Sequence, residues 1–439
     1  MSSVWIYINF ILFGLEAAFF IRSPYSIWNF LRFCYALILG VGINFVVLMD
    51  EFVGYKFRLY DLDVIQRYYL LGYGCMWIGF AATYFFIRSI REIGSFNPST
   101  SGQKFLQSQR VTKHGLRWLM ALSVFASLAY LAKTGLSFGQ GSYQSRYNDA
   151  EGSGIFLLFI PAFLPWAAYI LNRAEKKIEF YIISLMVLAY AAGTFVLLHG
   201  YRQLLIASIL LTIVLGVRKG ILNRGVILIA IASFPIIVIG LSFIRYASEQ
   251  STPFADQFTA SLYYIQGDLF PIDAPLRTYW FCHDGGNICP GFQVFSDHLT
   301  KFLPRVFFPD KPLIAMDAAG FYTQQIVGYG RQLTLSSTIL SEALMMQSIV
   351  KFSAIFVASG VICAGLQAFL RYSSGRTILF YVVLSNLYMG FFWVREGLED
   401  ALNRLIIMGV YVVIGFVAGR IHDAVVHNPS HRQAPRIPQ

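Results

Sequence analysis

Charged side chains are scarce in this sequence. Asp, Glu, Lys and Arg make up 13% of its 439 residues, whereas hydrophobic residues make up 56%. A soluble chain carries roughly 25% charged residues and about 45–50% apolar ones. A water-soluble core cannot hide this much apolar surface, because the outer faces of its elements must stay polar. The composition therefore excludes an ordinary soluble protein and indicates a lipid environment.

The sequence also lacks several motifs that carry well-known chemistries. It has no G-x-x-x-x-G-K-[ST] phosphate loop, which argues against ATP hydrolysis. It also has no H-E-x-x-H zinc helix. Metal-free chemistry, transport and an unusual metal site remain open, and we expect no cofactor and no bound metal.

Long apolar runs are what the sequence has in abundance. A bilayer core of about 30 Å requires about 20 apolar residues per helical crossing, and lipid forces such runs into helices. We therefore predict an all-α, polytopic membrane bundle in a single domain, residues 1–439, with about eleven spans. The predicted spans are 3–21, 33–49, 69–87, 115–132, 154–172, 178–198, 203–217, 225–244, 348–370, 377–394 and 405–419.

Basic residues set the expected orientation of these spans. With the N-terminus outside, 19 of the 34 Lys and Arg residues fall in short inside loops, in the inside tail or at the inner ends of spans. Positive charge in short loops marks the cytoplasmic side. The count, which places Arg32 in the first inside loop, predicts an outside N-terminus and an inside C-terminus. It also accounts for the net charge of +11 without nucleic acid, because the inner leaflet is anionic.

The largest polar interruption is the segment 245–347, which we expect to form one outside loop containing short helices. Loops this long usually carry function, so we expect function on the outer face. Cys282 and Cys289 lie in this loop, seven residues apart, and either a disulfide or free thiols would fit. The tail 427–439 is rich in Pro, His and Arg and is predicted to be disordered on the cytoplasmic side.

Several cations stand at the predicted outer ends of helices or in outside loops. Arg residues bind phosphate groups in a bidentate manner, so a convergent set would suit a diphosphate at the membrane surface. Each of them could instead simply snorkel to the interface. The set comprises Arg146, Arg202, Arg245, Arg305, Lys311 and Arg395.

Three short motifs resemble a known family. Pro304-Arg305 followed by Pro309-Asp310-Lys311-Pro312 is similar to a P-R…P-x-K-P stretch of the Wzy-type oligosaccharide-repeat-unit polymerases, which build O-antigen and capsule. The segment 338–343, with Glu342, resembles the acidic position before that family's next helix. Gly200-Tyr201-Arg202 resembles a G-x-R turn between two of its middle helices.

The resemblance implies a function. Such an enzyme polymerises undecaprenyl-diphosphate-linked oligosaccharide units on the periplasmic face of the bacterial inner membrane. The lipid-linked glycan is both donor and acceptor, so neither ATP nor a nucleotide sugar is needed. A chain-length regulator and a flippase are the partners that the family implies, besides the bilayer.

The site residues are assigned under this resemblance. Arg202 and Arg305 would stabilise the departing diphosphate, and Arg146, Arg245, Lys311 and Arg395 would bind it. Glu342 is the first candidate for the general base, with His283, His298 and Glu396 behind it. Glu342 could equally be a carboxylate that interacts with a helix dipole. Sugar stacking or ordinary packing would both explain four loop aromatics, Tyr279, Trp280, Tyr322 and Tyr329.

Three alternatives stay open. An O-antigen ligase shares the large outside loop, and His298 would be its candidate histidine. A metal-dependent glycosyltransferase that uses polyprenyl-phosphate sugars would place acidic pairs in the first outside loop, as Asp61-Leu62-Asp63 or Asp50-Glu51 could. A transporter would show discontinuous helices and charges within its spans. The charges collect at span ends here, which favours surface chemistry.

Overall fold

The architecture was established from a computed structural model of the chain. The residues that the structure describes are 3–53, 59–93, 102–135, 154–198, 202–233, 236, 262, 265–267, 269–295, 317–329, 335–373 and 377–427. Every regular element within these ranges is helical, as predicted.

The first half of the chain contributes nine α-helices. They are α1 (Ser3–Arg22), α2 (Ile27–Tyr35), α3 (Gly42–Val53), α4 (Leu59–Ile93), α5 (Gly102–Thr134), α6 (Gly154–Phe159), α7 (Phe163–Arg173), α8 (Lys177–Leu197) and α9 (Arg202–Arg218). A π-helical segment, Ala36–Val41, joins α2 to α3, and a 3-10 turn, Ile160–Ala162, joins α6 to α7.

In the second half the structure gives the bounds of seven more, besides the helical stretch 225–233. They are α10 (Asp273–Tyr279), α11 (Ala318–Phe321), α12 (Thr338–Leu344), α13 (Ile349–Tyr372), α14 (Ile378–Ser385), α15 (Met389–Glu396) and α16 (Leu398–His427). Three of them, α10, α11 and α12, lie in the described part of segment 245–347, where the π-helical segments Trp280–Asp284 and Tyr322–Ile326 follow α10 and α11.

Among the described residues, eight helical stretches are long and apolar enough to cross a bilayer, or nine with the bent pair α14–α15. The protein is therefore a polytopic helical membrane protein, as predicted. The predicted span 203–217 corresponds to α9, a 17-residue apolar helix. The predicted span 225–244 is helical over 225–233, and most of its remainder lies outside the described residues. The number eleven stays a prediction.

The predicted span 377–394 is not one straight helix. Helices α14 and α15 meet at an angle of 55° across residues 386–388. The Asn386 side chain donates a hydrogen bond to the Val382 carbonyl at 2.7 Å, and Asn386 is the C-terminal cap of α14. Asparagine side chains compete in this way with the backbone ladder of a helix. Apolarity alone could not reveal the break.

Glycine residues allow the backbones of two helix pairs to approach each other closely. Helices α4 and α13 run parallel, and Gly79 and Gly360 lie so close to the opposing backbone that a Cβ atom would collide with it. Helices α5 and α16 run antiparallel with Gly115 against Gly415 and Gly419 against Val111. Small residues let membrane helices approach closely enough for dense packing.

The helices of segment 245–347 pack at one end of the bundle, which we call the loop end. Helix α10 contacts α4 and α12, and α12 contacts α13, α15 and the start of α16. A disulfide joins Cys282 to Cys289, which answers the open question about these cysteines. The Gln347 side chain donates hydrogen bonds to the Cys282 and Asn287 carbonyls, both at 2.8 Å, and so fixes the disulfide loop to the end of α12.

A buried charged pair joins the first two helices of the bundle. Glu16 of α1 pairs with Arg32 of α2 at 3.2 Å, and the two side chains are only 3% and 4% exposed. Arg32 is therefore a buried helix residue and not part of an inside loop. The guanidinium lies 4.5 Å from the centre of the Trp77 ring, and Tyr73 donates a hydrogen bond to Glu16.

Candidate functional site

The turn between α15 and α16 carries the densest group of charges described at the loop end. Its sequence is Arg395-Glu396-Gly397-Leu398-Glu399-Asp400. The turn forms because Gly397 adopts φ +115°, a conformation that L side chains rarely adopt. It brings three carboxylates and one guanidinium into six consecutive positions.

Glu342 of α12 contacts this turn through hydrogen bonds. Its carboxylate accepts hydrogen bonds from the backbone N–H groups of Leu398 at 2.5 Å and Glu399 at 3.1 Å. These are orphan donors at the start of α16, and a carboxylate placed there also interacts favourably with the helix dipole. Glu342 is completely buried. The Glu342 carboxylate therefore does contact the N-terminus of a helix. That helix is α16, whereas the sequence had suggested an interaction with the dipole of its own helix.

Burial raises the pKa of Glu342 well above its ordinary value of 4.5, and the nearby Glu399 carboxylate raises it further. The two backbone N–H donors act in the opposite direction, but burial dominates. Gly397 lies against the carboxylate so closely that a Cβ atom there would collide with it. At the start of α12, Thr338 has φ +64°, an outlier for a β-branched residue. Such strain occurs frequently at functional sites.

Arg395 is paired with its sequence neighbour. A terminal guanidinium nitrogen of Arg395 lies 2.5 Å from a Glu396 carboxylate oxygen, which also accepts a hydrogen bond from Ser336 at 3.0 Å. The two side chains are 17% and 24% exposed. Both groups are therefore within reach of solvent at the loop end, and any diphosphate bound by Arg395 would have to share it with Glu396.

A polar cavity of about 160 Å³ lies between the first four turns of α16 and the helices α6, α9 and α14–α15. Asp400 and Arg404 pair within it at 2.5 Å. Gln203, which directly follows Arg202, donates a hydrogen bond to the Tyr388 hydroxyl at 3.1 Å. The helix break at 386–388 and the start of α9 therefore meet at this cavity.

The other predicted cations are described only in part. Helix α9 begins at Arg202, but the side chain of Arg202 lies outside the described residues. Four further positions, and the candidate base His298, lie outside the described residues altogether: Arg146, Arg245, Arg305 and Lys311. The predicted convergence of the six cations thus stays a prediction.

The remaining loop candidates occupy different surroundings. A ring nitrogen of His283 lies 3.2 Å from the Leu344 carbonyl, and the imidazole stacks on Tyr279 at 4.9 Å. Tyr322 is buried, whereas Trp280 and Tyr329 are half exposed. Among the four aromatics, Trp280 and Tyr329 are the ones whose rings a sugar could reach.

Sequence reasoning missed the cavity residues Gln203, Tyr388, Asp400, Asn403 and Arg404. The predicted span began at residue 405, whereas α16 begins at Leu398, so its charged first turns were not counted as helix. The i, i+4 spacing of Asp400 and Arg404 places the two on one helix face. Within the described residues, no three His, Cys, Asp or Glu side chains lie together in a way that could hold a metal ion.

Comparison with known proteins identifies the family. No solved structure matches this chain. The profile of the WzyE protein family, described as an O-antigen assembly polymerase, matches residues 2–426, which is nearly the whole chain. The match agrees with the helical membrane architecture and with the resemblance of the short motifs. The chain belongs to the WzyE family of O-antigen assembly polymerases.

Proposed function

We propose that this polymerase joins undecaprenyl-diphosphate-linked oligosaccharide repeat units on the periplasmic face of the bacterial inner membrane. The family match over residues 2–426 carries the proposal, because O-antigen assembly requires oligosaccharide units to be joined. The charged turn and the polar cavity at the loop end support it, since they offer carboxylates, guanidinium groups and space where long helices end.

The proposed reaction is one glycosyl transfer per cycle. The bond between the anomeric carbon of the donor glycan and its diphosphate oxygen breaks, and the bonding electrons leave with undecaprenyl diphosphate. A hydroxyl of the acceptor repeat unit forms the new glycosidic bond and gives its proton to a base. The diphosphate is already a good leaving group, so the proposed chemistry needs neither ATP nor a metal ion.

Arginine side chains perform the first task in this proposal. Arg202 and Arg305 stabilise the charge that develops on the departing diphosphate, and Arg146, Arg245, Lys311 and Arg395 bind it. Preorganised cations act strongly in a partly dry site. The start of α9 at Arg202, one residue from the cavity residue Gln203, supports the placement of a diphosphate at the mouth of this cavity.

Two carboxylates are candidates for the base, and they differ in their surroundings. Glu342 is completely buried and both of its oxygens accept backbone hydrogen bonds, which favours a role in positioning the turn. Glu396 is 24% exposed and can meet an acceptor hydroxyl without disturbing a helix cap. Glu342→Gln and Glu396→Gln separate the two, because replacement of the true base should abolish turnover while substrate binding persists.

The decisive experiment uses the purified full chain in lipid nanodiscs with an undecaprenyl-diphosphate oligosaccharide as the sole substrate. Products are resolved on a gel, with and without EDTA. Arg202→Ala and Arg305→Ala are compared with Arg277→Ala, a control arginine in the same group of loop helices that is 47% exposed. We expect a ladder spaced by whole repeat units that EDTA does not affect. The ladder should be lost in the first two variants and kept in the control.

Other outcomes would replace the proposal. A product that forms only when a lipid A core acceptor is supplied would indicate a ligase. A product that requires a polyprenyl-phosphate sugar and a metal ion would indicate the corresponding glycosyltransferase. Movement of the lipid-linked glycan between leaflets without any ladder would indicate a transporter.

A further inference from the structure

The cavity beside α16 has a lining unlike that of an ordinary packing defect. Its volume of about 160 Å³ is roughly ten times what one water molecule requires. Empty cavities in proteins are apolar, whereas the lining of this one is mixed, with seven polar residues among eleven. Its polar lining consists of Gln203, Asn386, Tyr388, Asp400, Asn403, Arg404 and Tyr411.

The charges in this lining cancel each other. Asp400 and Arg404 are its ionisable pair, with a guanidinium nitrogen 2.5 Å from a carboxylate oxygen. The guanidinium also lies 4.4 Å from the centre of the Phe392 ring. A diphosphate entering the cavity would gain one cation but meet one carboxylate at the same place. The lining therefore does not select an anion, and it suits a neutral ligand with many hydroxyl groups.

Asn403 supplies an acceptor that nothing in the described residues uses. Its Oδ1 atom is buried and has no hydrogen-bond partner there. A buried acceptor left unsatisfied is costly, so such atoms in native structures usually await a ligand or water. Asn403 follows Asp400 by three residues on α16, and both line the cavity. Both residues therefore border one small volume.

A backbone distortion forms one wall of the cavity. Pro161 lies in the 3-10 turn between α6 and α7, where its ring interrupts the helical hydrogen bonds. The Ile160 carbonyl accepts a hydrogen bond from Ser123 at 2.5 Å, and the Leu158 carbonyl accepts one from Tyr411. Hydrogen bonds from α5 and from α16 thus fix the kinked backbone, which forms this wall of the cavity.

We propose that this cavity binds one sugar residue of the acceptor repeat unit, an inference that rests on the proposed polymerase function. Sugar hydroxyls donate to Asn403 and Asp400 and accept from Arg404, while the rings of Tyr388 and Tyr411 provide apolar contact. A sugar in this cavity directs the rest of the acceptor towards the start of α9. The cavity thereby separates the two substrates, with the glycan of one inside it and the diphosphate of the other at its mouth.

The test measures binding of a probe that cannot act as donor. The probe is the free oligosaccharide released by mild acid from the undecaprenyl-diphosphate-linked repeat unit, and inorganic diphosphate is the comparison ligand. Affinities for the full chain in nanodiscs are measured by titration calorimetry. The variants are Asn403→Ala and the smaller change Asn403→Ser. Asn29→Ala, which changes an asparagine that does not line the cavity, is the control.

We expect Asn403→Ala to weaken oligosaccharide binding about fivefold to thirtyfold, the effect of losing one or two kcal/mol. Diphosphate affinity should stay at the wild-type value, because the lining carries no net charge. Asn403→Ser should show the same pattern if the alanine variant does not fold. Unchanged oligosaccharide affinity in a folded Asn403 variant would overturn the inference, and so would a selective loss of diphosphate binding.

The wild-type ladder assay keeps the two hypotheses apart. A ladder together with oligosaccharide binding that ignores Asn403 would leave the polymerase function standing and remove the cavity from it. Oligosaccharide binding that depends on Asn403 without any ladder would support the sugar site and overturn the proposed reaction.

Discussion

The Glu16–Arg32 pair and the Asp400–Arg404 pair both place opposite charges inside the helical bundle, but their surroundings differ. Glu16 and Arg32 are 3% and 4% exposed, and aromatic rings enclose the guanidinium. Asp400 and Arg404 are 24% and 14% exposed and face a cavity. Close packing surrounds the first pair, which we call the sealed pair, whereas a cavity lies beside the second.

We interpret the first pair as one that supports the structure and the second as part of the proposed sugar site. Charges within a bilayer are costly and persist where they pair or serve a function. Tyr73 and Asn29 form hydrogen bonds with the first pair and aromatic rings surround the guanidinium, so both side chains are almost inaccessible to solvent. The second pair stands where α14 and α15 break, and Asn386 and Tyr388 at this break also line the cavity. The broken helix therefore creates the space.

The largest expected effect comes from breaking the sealed pair. Arg32→Met leaves the Glu16 carboxylate buried without its cation, which should destabilise the protein by about 3–5 kcal/mol. The measurement is the free energy of unfolding in mixed micelles. The double variant Glu16→Gln with Arg32→Met should recover most of this loss, since both charges are then gone. A double variant no more stable than the single one would contradict the assignment of a mutually compensated pair.

The next effect concerns the charged turn. Gly397→Ala forces a side chain into φ +115° and into contact with the Glu342 carboxylate. We expect a loss of roughly 1–3 kcal/mol from the backbone conformation alone, with the collision adding to it. Gly409→Ala is the control, because a Cβ atom there meets nothing within 4 Å. Equal stabilities of the two variants in thermal unfolding would show that the turn relaxes more easily than its contacts imply.

A third effect is the pH dependence of stability that Glu342 confers. Because burial raises its pKa in the folded state, this group favours folding most below pH 4.5 and loses that contribution as the pH rises towards the folded-state pKa. The stability of the wild type relative to Glu342→Gln should therefore fall with rising pH, by at most about 1.4 kcal/mol per pH unit. Unfolding at a series of pH values from about 5 to about 8 tests this. A constant difference would contradict the burial of the acid.

The smallest effect on stability should come from the cavity. Asn403→Ala removes an acceptor atom that has no partner in the described residues, so we expect a change within about 0.5 kcal/mol of the wild type, or a slight gain. Binding residues commonly show this trade of stability against function. Chemical denaturation measures the change. A loss as large as that of Arg32→Met would mean that Asn403 supports the fold, and the comparison of the two pairs would fail.

Most of the fold was accessible from the sequence, because lipid leaves an apolar run few alternatives to a helix. The break at residues 386–388 was not, since Ser385 and Asn386 are two polar residues in a stretch that is otherwise mostly apolar. Their effect depends on which carbonyl the side chain reaches, as Asn386 does with Val382. The π-helical segment at 36–41 likewise has no mark in the apolar pattern.

The candidate site was only partly accessible. The motif resemblance drew attention to Glu342, and its place at the outer end of a predicted span drew attention to Arg395. The partner of Arg395 is its sequence neighbour, whereas the partner of Glu342 is 56 positions away, a contact that only coordinates show. Arg32 was misplaced because a loop count assumes that cations near span ends lie outside them. The cavity went unseen because its walls come from α6, α9, α14–α15 and α16, whose proximity the order of spans does not determine.

The most direct test of the comparison is the initial rate of glycan extension per folded molecule, measured at low acceptor concentration. It is applied to Glu16→Gln with Arg32→Met and to Asn403→Ala. We predict that the double variant extends chains at the wild-type rate, while Asn403→Ala falls about fivefold or more. A slow double variant together with a wild-type rate for Asn403→Ala would contradict the account, because the sealed pair and not the cavity would then serve the reaction.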